Sequence, residues 1–222
     1  MTKLFLQAIT KLVFGALIAG LLIFLPAGTI LFANGWLLMG VLFIPMLVAG
    51  IVMMFKSPEL LKKRLSAKEK LNEQKTVVIS SGFMFVLGFI VAGLTYRFEL
   101  YILPRYITGV ATALFLAGYI IYAEVLRENK YLSRTIEVAE NQKVVDTGLY
   151  GIVRHPMYFA TLLLFLSMPL ILGSLYAFVI FLAYPFIIIK RIKSEEEFLC
   201  RELPGYSEYI KKVRYRMIPY VW

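Results

Sequence analysis

The chain has 222 residues, 60% of them apolar and 17% charged, with a formal net charge of +10 at pH 7. Its uncharged blocks reach the roughly 20 residues that span a bilayer and do not alternate, which argues against a soluble domain and against a membrane barrel. The basic residues stand in the loops between those blocks, where they orient a membrane protein and attract anionic headgroups, so nucleic acid is not the implied partner; a single cysteine, Cys200, and a single histidine, His155, supply neither an internal disulfide nor a Cys/His metal cluster.

Residues 4–25 form the first apolar block, interrupted by Lys11 and ended by Pro26. It is too long for a removable signal peptide, lacks a small-residue cleavage site, and reads as a retained span. Lys11 is near enough to the helix end to extend to the headgroups. An uncharged link, 27–35, leads to a second block at 36–55, where Trp36 suits an interfacial anchor. Residues 56–75, KSPELLKKRLSAKEKLNEQK, carry seven Lys or Arg and an apolar stripe of Leu60, Leu61, Leu65 and Leu71. Two readings stay open for them, an amphipathic helix on the membrane surface and a solvated basic loop.

The third block is 77–96 and the fourth 106–125, joined by a link with Arg97, Glu99, Pro104 and Arg105. The chain is then polar up to His155. Met157 to Ile189 is apolar over 33 residues, about 50 Å as one helix against a core of about 30 Å. Pro169 and Gly173 interrupt it, so a hairpin of helices at 157–170 and 174–190 is expected.

That hairpin brings 22 of the 24 Lys and Arg residues to one side of the membrane. The positive-inside rule then predicts an all-α polytopic membrane protein of about six membrane-crossing helices, the last two a helical hairpin, with both termini cytoplasmic. The membrane is the plasma membrane in a prokaryote and the endoplasmic reticulum in a eukaryote. No internal repeat or linker divides the chain, so 1–222 reads as one membrane domain, with four spans in 1–125 and the chemistry in 126–222.

The polar stretch 142–158, QKVVDTGLYGIVRHPMY, is where that chemistry concentrates. Pro156 suits the first position of a membrane helix, whose open amides and positive dipole end would receive a carboxylate or a hydroxyl. The same Arg154, His155 and Pro156 equally suit an ordinary helix start with interfacial charges. Tyr150 and Tyr158 offer ring faces and hydroxyls, or plain interfacial anchoring. As feet of one hairpin, His155 and Arg191 are expected close together. Arg191 and Glu195 share a face if the helix continues, whereas Ser194 to Glu197 fits a capping box that would start a new helix and separate them. In the tail, Tyr206, Tyr209 and Val213 follow helical spacing, and Tyr215, Tyr220 and Trp222 suit the headgroup level. A lid or surface helix and a plain anchor both remain open there.

In this order, YLSR at 131–134, VVDTGLYGIVRHPMY, RIKSEEEFL at 191–199 and GYSEYIKKVRYRMIP in the tail resemble the isoprenylcysteine carboxyl methyltransferase family of integral membrane methyltransferases, whose relatives include phospholipid N-methyltransferases. The resemblance covers about the last 95 residues; LPGY is more compact than that family's usual tail pattern. It implies S-adenosyl-L-methionine as cofactor, held without a Rossmann domain by Gln142, Lys143, Val144, Val145, Tyr150, His155, Pro156, Met157, Tyr158 and Glu195. It assigns Arg191 to the substrate side, beside Lys190 and Glu196, and makes Arg191 and Glu195 the catalytic pair. The implied partner is a lipidic or amphipathic acceptor, with carboxyl O-methylation of the prenylcysteine type favoured over an amine headgroup or another amphipathic acid. No metal is implied. Two other classes stay open: an NADPH-dependent membrane lipid or sterol-type reductase, and a non-enzymatic lipid-binding membrane protein.

Overall fold

The computed structural model describes residues 2–65, 72–133 and 135–222, the side chains of 72–74 excepted. Residues 66–71 of the basic segment and Arg134 of YLSR lie outside the described residues.

Each uncharged block becomes a helix, because an apolar segment in lipid satisfies its backbone only within itself. In chain order these are α1 (Thr2–Ala27), α2 (Ala33–Lys56), the short α3 (Pro58–Leu65), α4 (Asn72–Arg97) and α5 (Arg105–Glu128). A 3-10 turn (Gly148–Gly151) precedes α6 (Pro156–Ile171), α7 (Leu175–Phe181), α8 (Ala183–Glu202) and α9 (Tyr206–Lys212). The described residues contain no strand, only an isolated bridge between Ile102 and Ser174. Four of the helices and the α7–α8 unit, Leu175–Glu202, are long and apolar enough to cross a membrane. The expected sixth crossing, α6, has 16 residues, about 24 Å of helix, and is short of a full core.

The basic segment is helical where it is described. The last turn of α3 holds Lys62, Lys63 and Arg64, while Leu60 and Leu61 are buried. Lys11 Nζ donates to the Leu65 carbonyl of α3 at 2.5 Å.

The hairpin forms as expected, with Gly173 at its tip in the left-handed region, φ 77°, which costs glycine least. The tip is tied to the link between α4 and α5. Leu103 donates to the Gly173 carbonyl at 2.9 Å, and the Thr95 and Ser174 hydroxyls are 2.8 Å apart. Both feet of the hairpin therefore return to the end of the bundle that carries α3 and the end of α5. Small residues let the helices close on one another. A β-carbon on Gly93 of α4 would lie 2.5 Å from the Ile23 carbonyl of α1, and one on Gly118 of α5 would lie 3.1 Å from the Ala160 carbonyl of α6.

The second hairpin helix does not stop at 190. α8 runs unbroken to Glu202, so the Ser194 capping box is not used and Arg191 and Glu195 share one helix. The buried stripe of that helix, Tyr184, Ile188 and Ile192, continues at the same spacing to Glu196, and only an unbroken helix keeps Glu196 on the buried face.

Candidate functional site

At the end of α5, the Glu128 carboxylate accepts from the Leu149 amide at 3.0 Å and so starts the 3-10 turn. Gly148 sits at φ 52°, and a β-carbon there would lie 1.5 Å from Glu128 Oε1. The turn buries Tyr150, whose hydroxyl accepts from Asn129 Nδ2 at 3.1 Å. Burial raises the Tyr150 phenol above its usual range.

Arg154 and His155 follow, both buried. The Glu196 carboxylate of α8 receives Arg154 Nε at 2.6 Å, His155 Nε2 at 3.2 Å and Arg216 Nε at 2.8 Å. Arg154 Nη1 also donates to the carbonyls of Val213 and Arg214, at 2.8 and 2.9 Å. The backbone amides of Arg154 and His155 donate to the carbonyls of Tyr215 and Arg216. Glu196 thus fastens the approach to α6, the body of α8 and the tail together. The open amide crown expected at the start of α6 is largely used up, since the Tyr158 and Phe159 amides both donate to the His155 carbonyl. His155 likewise serves this network, while still reaching the cleft beside it.

One turn into α6, the Tyr158 hydroxyl stands between the two residues of the expected pair. It accepts from Arg191 Nε at 2.9 Å and donates to Glu195 Oε2.

The tail closes the other side. Leu203, Tyr206, Tyr209 and Val213 form a small buried cluster with Val138, Val144 and Leu199 against it. The Tyr209 hydroxyl donates to the Tyr150 carbonyl at 2.7 Å. Lys212 pairs with Asp146 at 2.7 Å and holds that carboxyl below its usual range; both side chains are exposed, so the pair adds little stability. The tail is therefore a strap packed on the 138–150 loop. Trp222 packs partly buried against the main core, with Arg216 over its ring.

One cleft lies among these parts. Gln142, Lys143, Val144, Val145, Tyr150, His155, Met157, Tyr158, Arg191 and Glu195 all line it. Pro156 does not: it is fully buried as the first residue of α6. The Gln142 side chain is also engaged locally, accepting the Ala139 amide at 2.9 Å. The sequence reading missed Asn129, Tyr131, Arg154, Leu203, Tyr206 and Tyr209 as lining residues, and it missed the role of Glu196, which Arg154 contacts. Helical spacing from the strap tyrosines was a signal for burial; nothing in spacing said which surface they bury against.

Residues 105–203, from the start of α5 to just past α8, match the family described as phospholipid methyltransferase. The Delta(14)-sterol reductase of Mus musculus is 33% identical over 91 residues, which is 40% of this chain and 22% of that protein. The fold is similar to that of the eukaryotic intramembrane Ras methyltransferase, isoprenylcysteine carboxyl methyltransferase, with a TM-score of 0.50 at 16% identity over 85% of this chain and 74% of that one. The chain is an all-helical polytopic membrane protein with a fold similar to that of the intramembrane methyltransferase, and its residues 105–203, under half of the chain, match the phospholipid methyltransferase family.

Proposed function

We propose that the protein is an S-adenosyl-L-methionine-dependent methyltransferase acting on a lipidic or amphipathic acceptor, with carboxyl O-methylation of the prenylcysteine type as its reaction. The observation that carries this reading is the Arg191–Tyr158–Glu195 chain at one cleft with the 142–150 loop.

The residues present suit that cofactor. Tyr206 Oη is buried beside the cleft without a hydrogen-bond partner among the described residues. A buried hydroxyl left so costs free energy unless a ligand pairs it. Tyr150 and Tyr158 supply ring faces, which attract a cation, and Glu195 supplies a negative charge. When bound, the cofactor supplies an activated methyl group on a sulfonium. Glu195 would then stabilise that positive charge and the adjoining ammonium. Arg191 would hold the acceptor carboxylate, which is ionised at neutral pH and needs no general base. Tyr158, bonded to both, fixes their spacing, and positioning of this kind is the main catalytic contribution in an in-line displacement.

The site would face the cytoplasm, with both termini on that side and Lys and Arg crowding it. The test is incubation of the purified protein, in lipid, with methyl-labelled S-adenosylmethionine and candidate acceptors. Base-labile label in a lipid fraction supports carboxyl methylation; base-stable label moves the acceptor to an amine. The sterol reductase similarity supports one competing reading, a membrane lipid reductase using NADPH, and NADPH-dependent reduction without methyl transfer would establish it instead.

A further inference from the structure

α3 lies outside the 105–203 stretch that carries the family pattern, yet it touches the cleft twice. Arg64 Nη1 donates to the Ser133 carbonyl at 3.2 Å and approaches Met157 Sδ at 3.9 Å, and both residues line the cleft. Its Nη2 meets the Tyr122 hydroxyl of α5. Lys63 stands 5.9 Å from the centre of the Tyr131 ring, another cleft residue, with Lys130 at 5.3 Å from the same ring. The other attachments of α3 are to the spans. Leu60 and Leu61 are buried, and Lys11 of α1 caps the Leu65 carbonyl. Ser57 alone separates α3 from the apolar α2, so the element sits where a bilayer surface begins, with Lys62 exposed. Lysines near an anionic bilayer surface are drawn to it.

We infer that α3 is a docking surface for anionic phospholipid headgroups, and that Arg64 is a positioning residue through which this docking orders the cleft wall at Ser133 and Met157. Headgroups engaging Lys62 and Lys63 hold α3 against the bilayer. Arg64, fixed on the same turn, then holds the 131–133 loop and the first turn of α6 in register. Part of the cleft's order is thereby supplied by the half of the chain that carries no family pattern.

The test uses the full chain in nanodiscs of phosphatidylcholine alone and of phosphatidylcholine doped with phosphatidylglycerol. Hydrogen exchange of the 129–136 amides is the first readout and needs no ligand. The wild type is expected to exchange more slowly there in anionic discs. Lys62→Gln, at the exposed lysine that touches no cleft residue, should reduce that difference while matching the wild type in neutral discs. Arg64→Gln should exchange faster in both discs, and Arg64→Lys should recover part of the protection. The second readout, which rests on the methyltransferase reading, is affinity for S-adenosylhomocysteine, expected about fivefold tighter for the wild type in anionic discs. Equal exchange for the wild type in the two discs overturns the inference, as does Arg64→Gln exchanging like the wild type. The expected exchange pattern without any nucleoside binding sustains the inference and counts against the methyltransferase reading. Inorganic phosphate added to neutral discs separates a lipid surface from a free anion: slowing by phosphate alone also contradicts the docking.

Discussion

Deleting the Glu196 carboxylate leaves Arg154, at 6% exposure, with a buried charge and no counter-ion among the described residues, only the carbonyls of Val213 and Arg214. Breaking a buried pair in this way costs about 3–5 kcal/mol. Glu196→Ala is therefore expected to lower the thermal unfolding midpoint in detergent clearly, and to release the tail to protease before the helices unfold. Glu195→Ala, which leaves that network intact, is expected to unfold near the wild-type temperature. A comparable loss in both variants would mean that Glu196 does not fasten the tail. Gly148 is the other sensitive position. Alanine there is strained at φ 52° and collides with Glu128, so Gly148→Ala should cost about 1–3 kcal/mol, seen as a lower unfolding midpoint and faster exchange of the Leu149 amide.

At the scale of elements, the strap ties its stability to phenols that burial keeps neutral. Tyr150, Tyr206 and Tyr209 are all raised above the usual value of 10.0. A folded value above the unfolded one gives a contribution that is whole below about pH 10 and declines as pH rises toward the folded value. Protease cleavage within 203–216 should therefore accelerate above about pH 10, with α1 to α5 still protected; an unchanged rate up to pH 11 would show that these tyrosines do not hold the strap. The elements themselves were legible wherever an uncharged block had one reading, as for α1, α2, α4 and α5. Gly173 and Pro169 announced the hairpin because a helix of that length does not fit a bilayer. The continuity of α8 was not legible, since Ser194 to Glu197 satisfies a local capping rule that the buried stripe of Tyr184, Ile188 and Ile192 overrides. The cleft's rim was visible in the 142–158 motif. Its floor was not: three adjacent glutamates at 195–197 look alike in sequence, and only packing against Arg154 and Arg216 separates Glu196 from Glu195.

For the whole molecule, the account requires one orientation. Cys200 is the single cysteine, exposed near the end of α8 and close to the cleft residue Leu199. A membrane-impermeant maleimide is expected to label it in inverted vesicles and in permeabilised cells, and not in intact cells. Labelling from outside would reverse the topology and move the cleft away from the cytoplasmic donor. The most direct test of the central claim is calorimetric titration of the detergent-solubilised protein with S-adenosylhomocysteine, with NADPH in parallel, for wild type, Glu195→Ala and Tyr158→Phe. The account predicts saturable nucleoside binding, weakened about tenfold in both variants, a loss of about 1.4 kcal/mol of binding free energy. Wild-type protein that ignores the nucleoside and binds NADPH would contradict it.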